Sequence, residues 1–330
     1  MPNIDDVVRL SGVSKSTVSR VINNYPHISP DKRARVLKVM EEIGYTPNTS
    51  AQKLRGQKTT TIGVIVPRIV NPFFSYLVES IEKEGYQRGY QTIIFQSHED
   101  SERELSFLNL LKGKQVDGLI MTAYENDWSL INSYLQYGPI VLCNEYTSER
   151  FVPMICIDQF AASYKGVQHL IDRGHRKIAY CTGGLFTDIA KYKDRNFGYQ
   201  KALEEAGIEI NPNWILINRH TIEDGRTVLH QILDMKDRPT AVFTGSDEVA
   251  AGIIMEARKE GVRIPEDLAV IGFDDQPLAQ LVYPELTTIR QPVSEMGQLA
   301  MDVLVQRLIG KNNENTMHIL PFELIIRGST

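Results

Sequence analysis

The chain has 330 residues, too many for one hydrophobic core, and its 42% hydrophobic and 23% charged residues mark an ordinary soluble globular protein. No apolar run approaches the ~20 residues of a membrane span. The start, Met1-Pro2-Asn3-Ile4-Asp5-Asp6, lacks a signal peptide's basic and apolar segments, and Cys143, Cys156 and Cys181 stand singly in apolar runs, as buried thiols of a reducing cytoplasm do. The net charge of −5 averages two unlike parts, because residues 1–58 carry ten Lys/Arg against five Asp/Glu and the rest 26 against 36, a basic head on an acidic body such as a nucleic-acid-binding module joined to another domain shows.

The first predicted helix holds Ile4, Val7, Val8 and Leu10, with Asn3 as its cap and Asp5 and Asp6 at its positive end. Gly12 permits a tight turn. Ser14 is a good N-cap for a second helix, since its hydroxyl can accept an orphan amide of the first turn. Beyond it Val18, Val21 and Ile22 repeat at i, i+3, i+4 on one face, while Lys15, Ser16, Ser19 and Arg20 occupy the other, with no carboxylate among them. This pattern spells a helix-turn-helix whose second helix enters a DNA major groove. An αα-hairpin with a solvated face fits the same two helices, so the surroundings decide. A loop, Asn23–Pro30, leads to a third helix opened by Ser29 and Pro30 and ended at Gly44. Its Val36, Leu37, Val39, Met40 and Ile43 are expected to close a core against Val7, Leu10, Val18 and Val21. Pro47 and Gly56 then bracket about two turns of helix, too short to be stable alone in water, so the free chain reads as a linker there.

From residue 60 apolar runs alternate with amphipathic helices. Strands are predicted at 61–66, 91–96, 119–122, 140–144, 155–158, 178–182, 215–218, 241–244 and 269–273, and helices at 73–88, 101–113, 160–173, 194–206, 224–234 and 247–260. Such alternation means parallel sheets covered on both faces, over a span long enough for two doubly wound subdomains with ligand sites at the carboxyl ends of strands. There is no GxGxxG after a strand and no GxxxxGK[ST]. Gly183-Gly184 lacks a third glycine, and His169 and His175 lack zinc-ligand spacing. Asp274-Asp275 and Ser246-Asp247 could serve an enzyme, but no nucleophile, base and orienter emerge together. The same strand-end polar residues suit a pocket that binds a polar ligand without chemistry.

The stretch Gly12–Asn23, with Tyr45-Thr46-Pro47-Asn48 and Ala51-Gln52-Lys53-Leu54, resembles the start of the LacI/GalR family of bacterial transcription regulators. The resemblance continues through Gly63–Pro67, Asn71-Pro72-Phe73-Phe74, Val116–Ile120, Gly174–Ala179, Arg238–Val242, Ile271–Asp275 and Leu286–Ile289, and looks nearest to the catabolite-control branch. It implies an all-α helix-turn-helix head (residues 1–46), a hinge-helix linker (47–58) and an α/β body (59–330). The body would be two doubly wound parallel-sheet subdomains of periplasmic-binding-protein type, the first about 59–158 and 288–320, the second about 159–285 and 321–330. Crossings between them are expected near Asp158, Tyr283–Ile289 and residues 319–322.

The resemblance also implies site residues. DNA contacts fall on Asn3, Ser14, Lys15, Ser16, Thr17, Ser19, Arg20 and Asn23, with the main specificity positions at Lys15 and Ser16. Asn48, Ala51 and Leu54 join them from a hinge helix that folds on operator DNA, where Leu54 enters between central base pairs. Effector contacts fall on Phe73, Phe74, Lys191, Arg195, His220, Asp247 and Asp274. Phe73 and Phe74 could stack on a ring or be core. Arg195 and Asp274 could hold vicinal hydroxyls together or close the cleft as a salt bridge. His220 stands where several relatives carry an aromatic side chain, and Ile189 and Lys191 depart from the purine-binding branch. That leaves a sugar or sugar phosphate, with Lys191 as a phosphate partner. With no leucine-heptad tail, the resemblance implies a dimer. The expected function is a cytoplasmic sequence-specific regulator, by default a repressor, binding a palindromic operator as a homodimer and modulated by a small ligand. No cofactor, metal, membrane partner or catalysis is expected, and a protein corepressor is left open. The alternative is a cytoplasmic sugar-binding protein or enzyme with a vestigial head. The retained Leu54 and the polar face at 15, 16, 19 and 20 count against it.

Overall fold

The computed structural model of the protein describes residues 2–22, 25–45, 59–147, 150–184, 186 and 193–330. Asn23, Asn48, Ala51, Leu54, Ile189 and Lys191 lie outside the described residues, and with them the expected hinge helix. The chain divides into two compact units, Met1–Thr59 and Thr60–Thr330. No helix among the described residues is long and apolar enough to cross a membrane.

The first unit is a bundle of three helices, α1 (Ile4–Ser11), α2 (Lys15–Ile22) and α3 (Pro30–Glu42). Its fully buried core is valine throughout: Val7, Val13, Val18, Val21, Val36 and Val39. Leu10 and Leu37, expected inside, are 51% and 49% exposed. The inward stripe of α1 runs Ile4, Val7, Ser11, so Ser11 takes the buried place and Leu10 is turned off the face. Leu37 is likewise displaced by its neighbour Val36. Asn3 Oδ1 accepts from the amides of Asp5 (2.8 Å) and Asp6 (3.1 Å), and Asp6 Oδ2 accepts from Asn3 N at 3.0 Å, a reciprocal capping box. Gly12 closes α1 at φ +65°, a left-handed conformation that suits glycine. Ser29 stands at the start of α3 without a side-chain capping bond, leaving Pro30 to set the first turn.

The second unit holds two six-stranded sheets. The first orders its strands β11-β5-β4-β3-β1-β2 and the second β12-β10-β9-β8-β6-β7. The strands of the first are β1 Thr61–Val66, β2 Gln91–Gln96, β3 Gly118–Met121, β4 Ile140–Cys143, β5 Met154–Ile157 and β11 Met317–Leu320. Those of the second are β6 Ile178–Cys181, β7 Ile215–Leu216, β8 Ala241–Thr244, β9 Ala269–Asp274, β10 Thr287–Arg290 and β12 Glu323–Ile325. All ladders are parallel except β10–β12, which is antiparallel. Excluding the sixth strand, both sheets repeat one doubly wound order, so the body is two similar lobes. Strands such as Gly118–Met121 and Ala241–Thr244 are buried at every position, because helices cover both faces. The helices are α4 Pro72–Gln87, α5 Ser101–Lys112, α6 Trp128–Ser133, α7 Gln159–Asp172, α8 Lys193–Glu205, α9 Ile222–Asp234, α10 Asp247–Lys259 and α11 Val293–Leu308.

The chain passes between the lobes three times. The first crossing follows β5 at Asp158 and the third lies at Pro321–Phe322, between β11 and β12. The second was expected at Tyr283–Ile289 and falls instead at Gln291–Pro292. Thr287–Arg290 is a full strand of the second sheet, in register with Ile271–Asp274, so residues 288–290 belong to the second lobe. Only then does α11 return, placing Met296, Ala300, Met301 and Leu304 in the first lobe's core. The cysteines are all free and buried.

Candidate functional site

The head presents one polar surface. Lys15, Ser16 and Arg20 are exposed on α2, while Thr17 and Ser19 are half-buried. Ser14 Oγ lies 2.9 Å from Thr17 Oγ1 and 3.0 Å from Ser16 Oγ, and it accepts from Thr17 N at 3.4 Å. Ser14 and Thr17 are thus occupied in capping the helix, as Asn3 Oδ1 is in capping α1. Lys15 Nζ reaches Asp5 Oδ1 at 2.7 Å. The first turn of α2 holds no acid, so its positive end and its cations add.

Between the lobes lies a cavity of about 490 Å³. Its walls come from the carboxyl ends of both sets of strands, where a doubly wound sheet places a ligand. The first lobe supplies Arg68, Phe73 and Phe74 after β1, Glu99 after β2, Glu125 after β3, and Asn144, Glu145 and Tyr146 after β4. The second supplies Gln159, Asp194, Arg195, Asn218, Arg219, His220 and Asp274, and Gln291 comes from the second crossing. Of the sequence candidates, Phe73, Phe74, Arg195, His220 and Asp274 are brought together here. Phe73 is also core, only 4% exposed, and meets Phe74 edge to face at 5.1 Å. Asn71 aims the pair, since its Oδ1 accepts from Phe73 N at 2.9 Å as the cap of α4.

Asp247 is not in the wall. It is fully buried behind it, where Oδ1 accepts from Thr288 Oγ1 and Oδ2 from Gln276 N, both at 2.6 Å. Burial, reinforced by the Asp274 carboxyl, holds its proton affinity well above the ordinary carboxylate range. Its role is to hold the loop that carries Asp274 to Gln276. Asp274 and Asp275 adopt φ of 105° and 51°, a conformation non-glycine residues rarely take and one that functional sites retain. Asp274 accepts from Gln291 Nε2 (2.7 Å) and Gln276 Nε2 (3.3 Å). Burial raises its pKa to about 7, against the pull of Arg195.

Arg195 is held by neutral acceptors: Nε donates to Gln159 Oε1 at 2.6 Å and Nη1 to Gly245 O at 3.1 Å. Its guanidinium lies 3.7 Å over the Phe273 ring. No ion pair joins it to Asp274 among the described residues, so the expected alternative of a closing salt bridge is not formed. Other bonds do span the cleft. Arg68 Nη2 and His220 Nδ1 are 2.9 Å apart; a guanidinium can only donate, so the imidazole accepts through Nδ1. Burial first, then the Arg68 charge, lowers the His220 pKa and favours that neutral form. Gln276 Nε2 donates to Asn71 Oδ1 at 3.4 Å. Tyr146 is hydrogen-bonded to Asp194, and its phenol is pushed up by burial first and then by that acid.

Sequence reading missed most of the wall. Arg68, Glu99, Glu125, Tyr146 and Arg219 sit in loops whose order in the cleft only the sheet topology sets. Glu104 was missed as a support: it is fully buried, and its carboxylate accepts from the amides of Glu125 (2.7 Å) and Asn126 (3.0 Å) to fix the turn that delivers Glu125. Among the described residues, four that line the cleft carry a buried polar atom without a hydrogen-bond partner: the donors Arg68 Nε, whose ion pair with Glu99 Oε1 is long at 3.8 Å, and Arg219 Nε, and the acceptors Asn144 Oδ1 and Gln291 Oε1.

Comparison with known proteins bears on both units. Residues 3–48 match the model of bacterial regulatory proteins of the lacI family, and residues 167–330 match a periplasmic binding protein-like domain. The chain is 46% identical over 331 residues to the NTD biosynthesis operon regulator NtdR of Bacillus subtilis (strain 168), covering 100% of both chains. A LacI family regulator of Lactobacillus casei, solved with bound sucrose, aligns at a TM-score of 0.77 and 32% identity, over 82% of this chain and 99% of that one. The lac repressor dimer bound to operator and the anti-inducer ONPF aligns at a TM-score of 0.84 and 27% identity, over 99% and 98%.

Proposed function

Because the chain belongs to the lacI family of bacterial regulatory proteins, and so is a sequence-specific DNA-binding transcriptional regulator, we propose that it is a dimeric repressor whose operator affinity is set by an uncharged sugar held between the lobes of residues 60–330. The observation that carries the ligand class is the set of buried atoms in the cleft that lack a hydrogen-bond partner, two donors and two acceptors among the described residues. A polar group left unpaired on burial is costly, and a hydroxyl can meet either kind because it donates and accepts. Among the described residues, the acids Glu99, Glu125, Glu145 and Asp194 outnumber the cations Arg68, Arg195 and Arg219 on the wall, which favours a neutral sugar over a sugar phosphate. The sucrose held by the Lactobacillus casei regulator supports the same class.

The ligand acts by preferring one arrangement of the lobes, and only its differential affinity for that arrangement can move the operator equilibrium. The operator is a palindrome read by two copies of α2, as the operator-bound lac repressor dimer suggests. The protein works in the cytoplasm, where its operator lies, and does no catalysis. Of the groups that invite an enzyme reading, Ser246-Asp247 and Asp274-Asp275, Asp247 is sealed behind the wall with both oxygens engaged and Asp275 is ion-paired with Arg290 and Arg327. The test is titration calorimetry with a panel of neutral mono- and disaccharides and their phosphates, paired with gel shifts on the upstream region of the adjoining genes. Binding of a neutral sugar that changes the gel shift supports the reading. Binding confined to phosphorylated sugars overturns the ligand class.

A further inference from the structure

Lys15 Nζ and Asp5 Oδ1 form an ion pair at 2.7 Å whose side chains remain 60% and 68% exposed. Ten residues apart, they join the start of α1 to the start of the recognition helix. Asp5 is not needed to cap α1, because Asn3 and Asp6 already close its capping box. An exposed pair of this kind adds almost nothing to stability. A carboxylate on a surface that approaches phosphates also weakens every non-specific contact. The position therefore has a use that appears only on the right sequence.

We infer that Asp5 is a specificity-determining residue, acting with Lys15 as a donor–acceptor pair that reads both strands of a single G·C base pair in the major groove. Guanine shows two acceptors there, N7 and O6, and cytosine shows one donor, the N4 amine. O6 and the N4 amine are neighbours, being hydrogen-bonded to each other within the base pair. The ammonium has three donors, one engaged by Asp5, which leaves two for O6 and N7. Asp5 Oδ2 takes no part in that bond and can accept from the cytosine amine. Inverting the base pair sets donor against donor and acceptor against acceptor. A T·A pair offers the ammonium a single acceptor on thymine, flanked by a methyl group. The pair thus selects identity and orientation together, which a lysine alone does not.

The inference rests on the reading that the start of α2 faces base edges, and that reading has its own control. Full-length wild type, Asp5→Asn and Lys15→Ala are each used to select duplexes from a random pool. Affinities are then compared for the selected site and for the same site with one G·C pair inverted in each half. Asp5→Asn keeps the backbone capping bonds of α1. It is expected to lose discrimination against the inverted pair by on the order of tenfold, and Lys15→Ala to lose preference at the same position. If Asp5→Asn selects the wild-type site and only binds random duplex more tightly, Asp5 acts as bulk charge and the inference is overturned. If Lys15→Ala also selects the wild-type site, the underlying reading of α2 has failed instead.

Discussion

Asp274 stores a conflict. Its carboxyl is buried, its backbone is left-handed, and its pKa stands at about 7 against an ordinary value of 3.8. A raised carboxyl pKa means that the folded protein binds a proton the unfolded chain releases. The neutral form's contribution is therefore fully present below pH 3.8 and is lost as pH rises through about 7. Asp274→Asn, which is always neutral, should raise the thermal midpoint of the ligand-free protein more at pH 8.5 than at pH 5.5. An equal gain at both would show that the carboxyl is not strained by burial. Asp274 was legible in the sequence because it ends an apolar strand. Asp247 looked equivalent, yet the two play opposite parts. Nothing in the string Ser246-Asp247 tells that Thr288 and Gln276 will enclose it, since one partner lies within β10 and the other in the loop after β9.

Among the elements, α9 and α10 pack backbone against backbone at two glycines. A Cβ at Gly225 would stand 2.1 Å from Val249 O, and one at Gly252 2.0 Å from Ile222 O. Both obstacles are backbone and cannot swing aside. Gly252→Ala should destabilise the body by at least ~1–3 kcal/mol in urea unfolding, by forcing the helices apart. A smaller loss would mean that the helices slide at little cost. The β-α alternation was readable because parallel strands such as Ile140–Cys143 are apolar at every position and helices such as Ile222–Asp234 are not. Thr287–Arg290 escaped because Thr287 and Thr288 are buried with their hydroxyls bonded, to Thr330 Oγ1 and to Asp247, and buried threonines look like loop residues in a sequence. Helix α11 was also missed, although Met296, Ala300 and Leu304 repeat every four residues. The hinge element remains a proposal: Leu54→Ala should weaken operator binding and reduce DNA bending while leaving sugar affinity intact. Equal bending by mutant and wild type in a circular-permutation gel shift would remove the wedge.

Across the whole molecule, the proposed coupling of ligand to operator runs through the two lobes, which the Arg68–His220 and Asn71–Gln276 bonds link directly. Arg195 is poised on Phe273 and neutral acceptors with no ion pair to break, and burial already shifts the nearby Asp274 carboxyl toward its neutral form. Arg195→Ala should abolish the sugar response and preserve ligand-free operator binding. Wild-type sugar affinity in calorimetry would show that the wall is drawn wrongly.

The triple crossing also bears on how the protein comes into being. The first lobe opens the body at Thr61, yet part of its core comes from α11, up to Leu308, and its last strand ends at Leu320. By the time a ribosome has made α11, the strands β6 to β10 of the other lobe are already synthesised. The lobe begun earlier is thus completed later, and its contacts span more than two hundred residues, from Ser80 Oγ to Ser294 O at 2.7 Å for example. Such long closures are slow. A nascent chain arrested before Val293 would carry a half-built first lobe with its helix-docking face bare, a target for chaperones during every round of translation.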